Sequence, residues 1–168
     1  MRIYLLGFMG CGKSTLGKKL AKHTGLQFID MDNYIEERNY KTVPRIFAEE
    51  GEAEFRKKEH KALEELSEFN DVIIATGGGA PCFFDNMELM NETGITIYLN
   101  IAPEILAARL AESKTERPLI KGKTDSELLE YINETLRKRN KFYKKAAFQI
   151  TDPDIAMDEV INMIRVRL

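Results

Sequence analysis

Cysteine is scarce in this 168-residue chain: Cys11 and Cys82 are the only two, and neither belongs to a cluster with metal-ligand spacing. That usage suits a reducing compartment, so a cytoplasmic location is expected. Excess charge of one sign is also missing. The formal net charge is −2, which gives no electrostatic reason to expect nucleic acid or an anionic membrane as partner, and any cationic site must be local. No apolar run is long enough to span a bilayer, and the N-terminus enters a strand directly, so neither a membrane span nor a signal peptide is expected. Repeats, low-complexity tracts and linkers are lacking, which predicts one domain over residues 1–168. No Ser/His/Asp or Cys/His constellation is evident, and His23 and His60 have no partner pattern.

What is present is ordinary for a globular protein, 43% hydrophobic and 31% charged residues, in alternating periods. Apolar runs of strand length occur at Ile3–Leu6, Gln27–Ile29, Val72–Ala75, Thr96–Leu99 and Phe148–Ile150. Between them lie segments of helical period at Lys13–Thr24, Asp32–Leu66, Phe84–Glu92, Pro103–Ser113 and Ser126–Lys145, and Asp154–Leu168 closes the chain as another helix. Near-continuous apolar strands alternating with helices predict an α/β fold with a parallel sheet covered on both faces. The second helical segment is too long to run unbroken: Thr42 offers an N-cap with Pro44 in the first turn, and Gly51 a further joint.

Residues Gly7 to Thr15 read G-F-M-G-C-G-K-S-T and fit the pattern G-x-x-x-x-G-K-[ST] between a strand and a helix. Gly7, Gly10 and Gly12 let the backbone turn tightly, so that the N–H groups of Gly10, Cys11, Gly12, Lys13, Ser14 and Thr15 can face phosphate oxygens at a helix N-terminus. Lys13 would reach the β- and γ-phosphates, and the Ser14 hydroxyl would ligate Mg²⁺. Cys11 occupies a variable position of the loop.

Three further features carry chemistry. Asp30 and Asp32 emerge where the second strand ends, spaced to share one side of an extended segment, with Asp30 near Ser14 and the metal; Asp32 faces a second substrate, caps the following helix, or does both. Gly77, Gly78 and Gly79 directly follow the third strand, more glycine than an ordinary turn needs, which lets a ligand approach the backbone. The polar, cation-bearing segment 112–123 lies between two helices and reads as a lid carrying Arg117 to the phosphates, with Asp125 capping the next helix. Arg56, Arg137 and Arg139, taken alone, sit in charged helical stretches that read as solvated faces.

Taken together, G-F-M-G-C-G-K-S-T, D-M-D at Asp30–Asp32, I-F-A-E-E-G-E-A-E-F-R-K-K-E at Ile46–Glu59, G-G-G at Gly77–Gly79, R-P-L at Arg117–Leu119 and R-N-K-F-Y at Arg139–Tyr143 resemble the shikimate kinase family of P-loop kinases. The resemblance runs from the first strand to the last helix and implies a three-layer α/β/α P-loop kinase fold with strand order 2-3-1-4-5. It also implies a substrate-binding helical region over about residues 32–66 and the lid over about 112–123. The implied reaction is transfer of the γ-phosphoryl group of ATP to the 3-hydroxyl of shikimate, with Mg²⁺, in aromatic amino-acid biosynthesis, by a monomer. In this family pattern Asp30 holds Mg²⁺ alongside Ser14, and Asp32 binds shikimate hydroxyls as the base. Arg56 and Arg139 grip the carboxylate, and the Gly78–Gly79 region positions the ring. Phe47, Phe55 and Glu59 shape the pocket, Arg117 reaches over the ATP phosphates, and Arg109 packs against adenine. The chain departs from the family near Thr151–Asp152–Pro153, where a basic residue is common and none is present.

A related small-molecule kinase acting on gluconate or a nucleotide is the nearest alternative. A GTP-dependent switch is disfavoured because D-x-x-G is lacking and the only N-K, at Asn140–Lys141, continues as Phe142–Tyr143.

Overall fold

The structure is a computed structural model that describes residues 1–115 and 117–168. Five parallel strands form one sheet: β1 (Arg2–Leu6), β2 (Gln27–Asp30), β3 (Val72–Ala75), β4 (Ile95–Leu99) and β5 (Phe148–Ile150), in the order β2-β3-β1-β4-β5. The eight α-helices found among the described residues are α1 (Lys13–Thr24), α2 (Met31–Asn39), α3 (Val43–Glu50), α4 (Glu52–Leu66), α5 (Asn86–Thr93), α6 (Pro103–Glu112), α7 (Asp125–Tyr143) and α8 (Met157–Arg165).

Alternation along β1 explains the layering. Ile3 and Leu5 point into a core shared with α1, α6, α7 and α8, whereas Tyr4 and Leu6 point into a second core against α2, α3, α4 and α5. All four of these side chains are fully buried, which is why the strand reads as a continuous apolar run rather than an alternating one.

The expected strands hold to within one residue, and the long helical segment breaks where Thr42 and Gly51 predict. The Thr42 hydroxyl accepts from the Arg45 N–H at 3.3 Å, and Gly51 bridges α3 and α4 at φ 86°. Three local expectations are corrected. Asp32 does not cap α2: the Asp30 carboxylate accepts from the Asn33 N–H at 3.2 Å, so the chain turns helical at Met31 and Asp32 lies in the first turn. The two carboxylates therefore do not share an extended segment. Thr124, not Asp125, caps α7, in a reciprocal capping box with Glu127. The helix expected from Phe84 starts at Asn86, because Phe84 takes a left-handed backbone (φ 51°).

Gly94, between α5 and β4, has extended backbone that any residue adopts, but space is restricted. A Cβ there would lie 2.6 Å from the Arg2 carbonyl oxygen on the neighbouring strand. Gly94→Ala is therefore expected to cost about 1–3 kcal/mol of stability, an overpacking penalty measurable by urea denaturation.

Candidate active site

The site is assembled at the carboxyl edge of the sheet, where β1, β3 and β4 end side by side and the strand order reverses. A cavity of about 710 Å³ opens there. Gly10 to Thr15, Asp30, Asp32, Gly77, Gly78, Arg109 and Arg117 all line it.

The phosphate loop leaves β1 at Gly7, whose left-handed backbone (φ 146°) excludes other residues twice over, since a Cβ would meet the Cys11 sulfur at 2.7 Å. Gly12 (φ 101°) caps α1 without a side chain, leaving the first N–H groups of the helix facing the cleft. The Cys11 N–H is already given to the Phe8 carbonyl at 3.1 Å, and the Cys11 side chain is buried in the core. Lys13 folds over the loop and donates to the Gly7 carbonyl at 2.7 Å. The Ser14 hydroxyl donates to Asp30 Oδ2 at 3.3 Å, so Asp30 uses one oxygen on Ser14 and the other on the α2 cap.

Arg109, expected against adenine, lines the cleft and donates to the Gly10 carbonyl at 3.2 Å, which braces the phosphate loop. Arg117 lines the cleft with its Nε buried and without a hydrogen-bond partner, a cationic donor available to a ligand. Glu116, within the expected lid, lies outside the described residues. The loop after β5 closes by an Asx turn, with the Asp154 N–H donating to Asp152 Oδ1 at 2.8 Å, and Ile101, Ile150 and Ile155 also line the cavity.

Across from this loop lies a charged group that the sequence only outlined. Arg56, on α4, donates from Nη1 to Glu59 at 2.9 Å, and Glu59 is 1% exposed. The Asp32 side chain opens onto the cleft yet lies deep among protein atoms. That desolvation, reinforced by Asp30 and Glu36 and only partly offset by Lys13 and Arg56, raises its carboxyl above the ordinary range. Arg139 is half-buried, with Nη1 3.4 Å from the Tyr143 hydroxyl and its guanidinium 5.7 Å from the Phe8 ring centre. Arg137 is exposed, so the helix periodicity separates the two arginines.

The triple glycine does something other than provide left-handed turns. A Cβ on Gly77 would lie 2.8 Å from Glu59 Oε2, on Gly78 3.1 Å from Arg139 Nη1, and on Gly79 2.7 Å from Arg56 Nη2. The three residues make room for charged side chains against bare backbone. Tyr143, the last residue of the R-N-K-F-Y motif, donates its hydroxyl to the Gly78 carbonyl and packs against Tyr98 with ring centres 4.8 Å apart. Burial raises its pKa, with Arg139 offsetting only part, which keeps it a neutral donor. Its burial is the signal sequence periodicity offered, since Leu128, Ile132, Leu136 and Tyr143 share the buried face of α7. His60 does have partners, Asn86 Oδ1 at 2.6 Å and the Phe84 ring at 5.0 Å, both distant in sequence.

Comparison with known proteins now fits this geometry. The sequence profile described as "Shikimate kinase" matches residues 9–168. This chain belongs to the shikimate kinase family. The shikimate kinase of Parabacteroides distasonis is 56% identical over 146 residues, covering 87% of this chain and 84% of that protein. The crystal structure of the shikimate kinase from Bacteroides thetaiotaomicron superimposes with a TM-score of 0.90 at 46% identity, covering 99% of this chain and 96% of the other. A shikimate kinase from Acinetobacter baumannii, solved in complex with shikimate, matches with a TM-score of 0.87 at 33% identity, covering 99% and 93%. Like these shikimate kinases, the chain carries its five-stranded sheet in P-loop kinase order. No described helix is long and apolar enough to cross a membrane.

Glu59 makes the site pH-dependent. Burial pushes its carboxyl from the ordinary 4.5 up to about 7, with Asp32 adding to the shift and Arg56 and Arg139 opposing it. The folded state then holds a proton that the unfolded chain has released, so the stability this group contributes is full below 4.5 and lost as pH rises to about 7. Wild-type stability, compared with Glu59→Gln by urea denaturation across pH, is expected to fall relative to the variant through that window and then level off. A flat difference would place the Glu59 proton elsewhere.

Proposed function

We propose that the chain phosphorylates the 3-hydroxyl of shikimate from ATP, giving shikimate 3-phosphate and ADP, with the phosphate loop on one side of the cleft and the Arg56–Arg139 group on the other. The observation that carries this reading is the juxtaposition itself. A loop built for phosphates faces two guanidinium groups and two carboxyl groups across a glycine backbone. A small carboxylic acid calls for guanidinium, whose planar fork matches carboxylate, and a polyol ring calls for a carboxylate acceptor.

In this reading Arg56 and Arg139 bind the carboxylate, and the Gly77–Gly79 backbone sets the ring height. The raised pKa of Asp32 makes it a better proton acceptor for the attacking hydroxyl than an ordinary aspartate. Lys13 and Arg117 neutralise charge on the transferring phosphoryl group, with Arg109 holding Gly10 in place. The reaction needs positioning and charge neutralisation more than covalent chemistry from the protein. The helical region 32–66 serves the acceptor and the segment 112–123 closes over ATP as a lid.

The donor set suits Mg²⁺. Ser14 and Asp30 supply two hard oxygen donors beside the phosphate loop, and no cluster of three or more His, Cys, Asp or Glu side chains competes among the described residues. Mg²⁺ takes one or two protein ligands and completes its shell with phosphate oxygens and water. When bound, it would supply charge neutralisation at the phosphates. We further read the protein as a cytoplasmic monomer that uses neither nucleic acid nor membrane.

The test is phosphoryl transfer from ATP to shikimate, gluconate and nucleoside monophosphates in parallel, with turnover of shikimate alone expected. Absence of shikimate turnover overturns the proposal. Lys13→Ala is expected to reduce turnover to background while circular dichroism and melting temperature stay near wild type. Arg139→Ala is expected to raise the KM for shikimate at least tenfold more than that for ATP, since a charged hydrogen bond to carboxylate contributes about 1.5–3 kcal/mol. Equal losses in both would move Arg139 out of the acceptor pocket.

A further inference from the structure

Arg56 is held on more than one side. Glu59 takes Nη1 at 2.9 Å, Glu52, an exposed residue, lies 3.4 Å from Nη2, and Nε is buried with no hydrogen-bond partner. The guanidinium carbon Cζ lies over the Phe83 ring, 4.2 Å from its centre, closer than its 5.2 Å to Phe55. We infer that Phe83 is a positioning residue for the acceptor carboxylate, stacking on Arg56 so that the guanidinium keeps its remaining N–H edge free for the substrate.

The chemistry separates this contact from the ion pairs. A carboxylate partner uses up N–H donors and competes with an incoming carboxylate, whereas an aromatic ring attracts the cation through its face and uses none. Glu59 and Phe83 thus divide the work: one anchors Nη1, the other holds the cation from the side of the ring. The local backbone is arranged for it. Phe83 is extended (φ −120°, ψ 146°) and Phe84 left-handed (φ 51°), so two consecutive rings reach two partners on α4. Phe83 takes Arg56, and Phe84 stacks on His60 at 5.0 Å, one helical turn further along. Asn86 completes the attachment: its Oδ1 accepts from His60 Nδ1 at 2.6 Å and its Nδ2 donates to the Ala80 carbonyl at 2.9 Å, so His60 Nδ1 carries the proton. A left-handed phenylalanine is costly, and here it sits beside the binding group.

This inference rests on Arg56 as a carboxylate ligand, and the experiment separates the two. In the full-length protein, Phe83→Leu is expected to raise the KM for shikimate about threefold to tenfold, the range of a partly desolvated cation–π contact, with kcat and the KM for ATP within about twofold of wild type. Phe83→Met, a second apolar side chain, is measured alongside with the same expectation. Phe83→Tyr is expected to restore the wild-type KM, because it keeps the ring. With the carboxamide analogue of shikimate, Phe83→Leu and wild type are expected to have equal KM. Arg56→Ala raising the shikimate KM while both apolar variants leave it unchanged overturns the role of Phe83 alone. An unchanged KM in Arg56→Ala overturns the ligand reading and the inference with it. A parallel rise in the KM for ATP, or failure of Phe83→Tyr to restore, assigns Phe83 to general packing and overturns the inference.

Discussion

Parallel pairing of β1 between β3 and β4 is the constraint on which the rest of the site depends. Leu5 lies opposite Ala75 and Leu6 opposite Tyr98, so the loops that follow these strands leave the sheet from one edge. Parallel strands require crossover connections, and each crossover that begins at this edge starts with the positive end of a helix or a turn of bare backbone. The phosphate loop, the Asp30–Asp32 corner and the glycine run are neighbours for that reason. They lie far apart in sequence and share only the direction of their strands.

The acceptor side is stabilised differently from the phosphate side. The phosphate loop presents backbone donors, and its one strong cation, Lys13, bonds its own carbonyls at Gly7 and Phe8. Across the cleft, charges are buried in side chains carried by α4 and α7. Burying Glu59 costs enough to bring its carboxyl near neutrality even with Arg56 at 2.9 Å. Glycine at residues 77–79 reduces the crowding, since any Cβ would displace one of these charged groups from its place. Rings then support the cations without consuming their donors: Phe8 lies beneath Arg139 and Phe83 beside Arg56. Phe8 belongs to the phosphate loop, so one side chain touches both halves of the site.

Local chemistry was legible wherever a few adjacent residues carry it. The loop from Gly7 to Thr15, the cap at Thr42, the joint at Gly51 and the five apolar runs each follow from short-range physics, and the described structure contains them. Errors arose where two local solutions compete. Asp30 and Asp32 are both good caps, and Thr124 and Asp125 likewise; which one wins depends on where the preceding segment releases the chain. Phe84 fits a helical period but adopts a backbone that no propensity favours, and its ring packs against His60 on α4. The tie from Arg109 to Gly10 spans 99 residues and likewise lies beyond short-range physics.

By itself the sequence determined an α/β chain with a phosphate-binding loop, because backbone turns, caps and burial periods are set by neighbours along the chain. Resemblance over six motifs extended that to a family and to named acceptor residues. The tertiary structure alone decided which arginines of the charged helices turn inward, why three glycines stand in a row, and that Tyr143 and Phe83 attend the cations. Those outcomes depend on the space left when helices from opposite ends of the sequence meet at one sheet edge, and space of that kind exists only once the chain has folded.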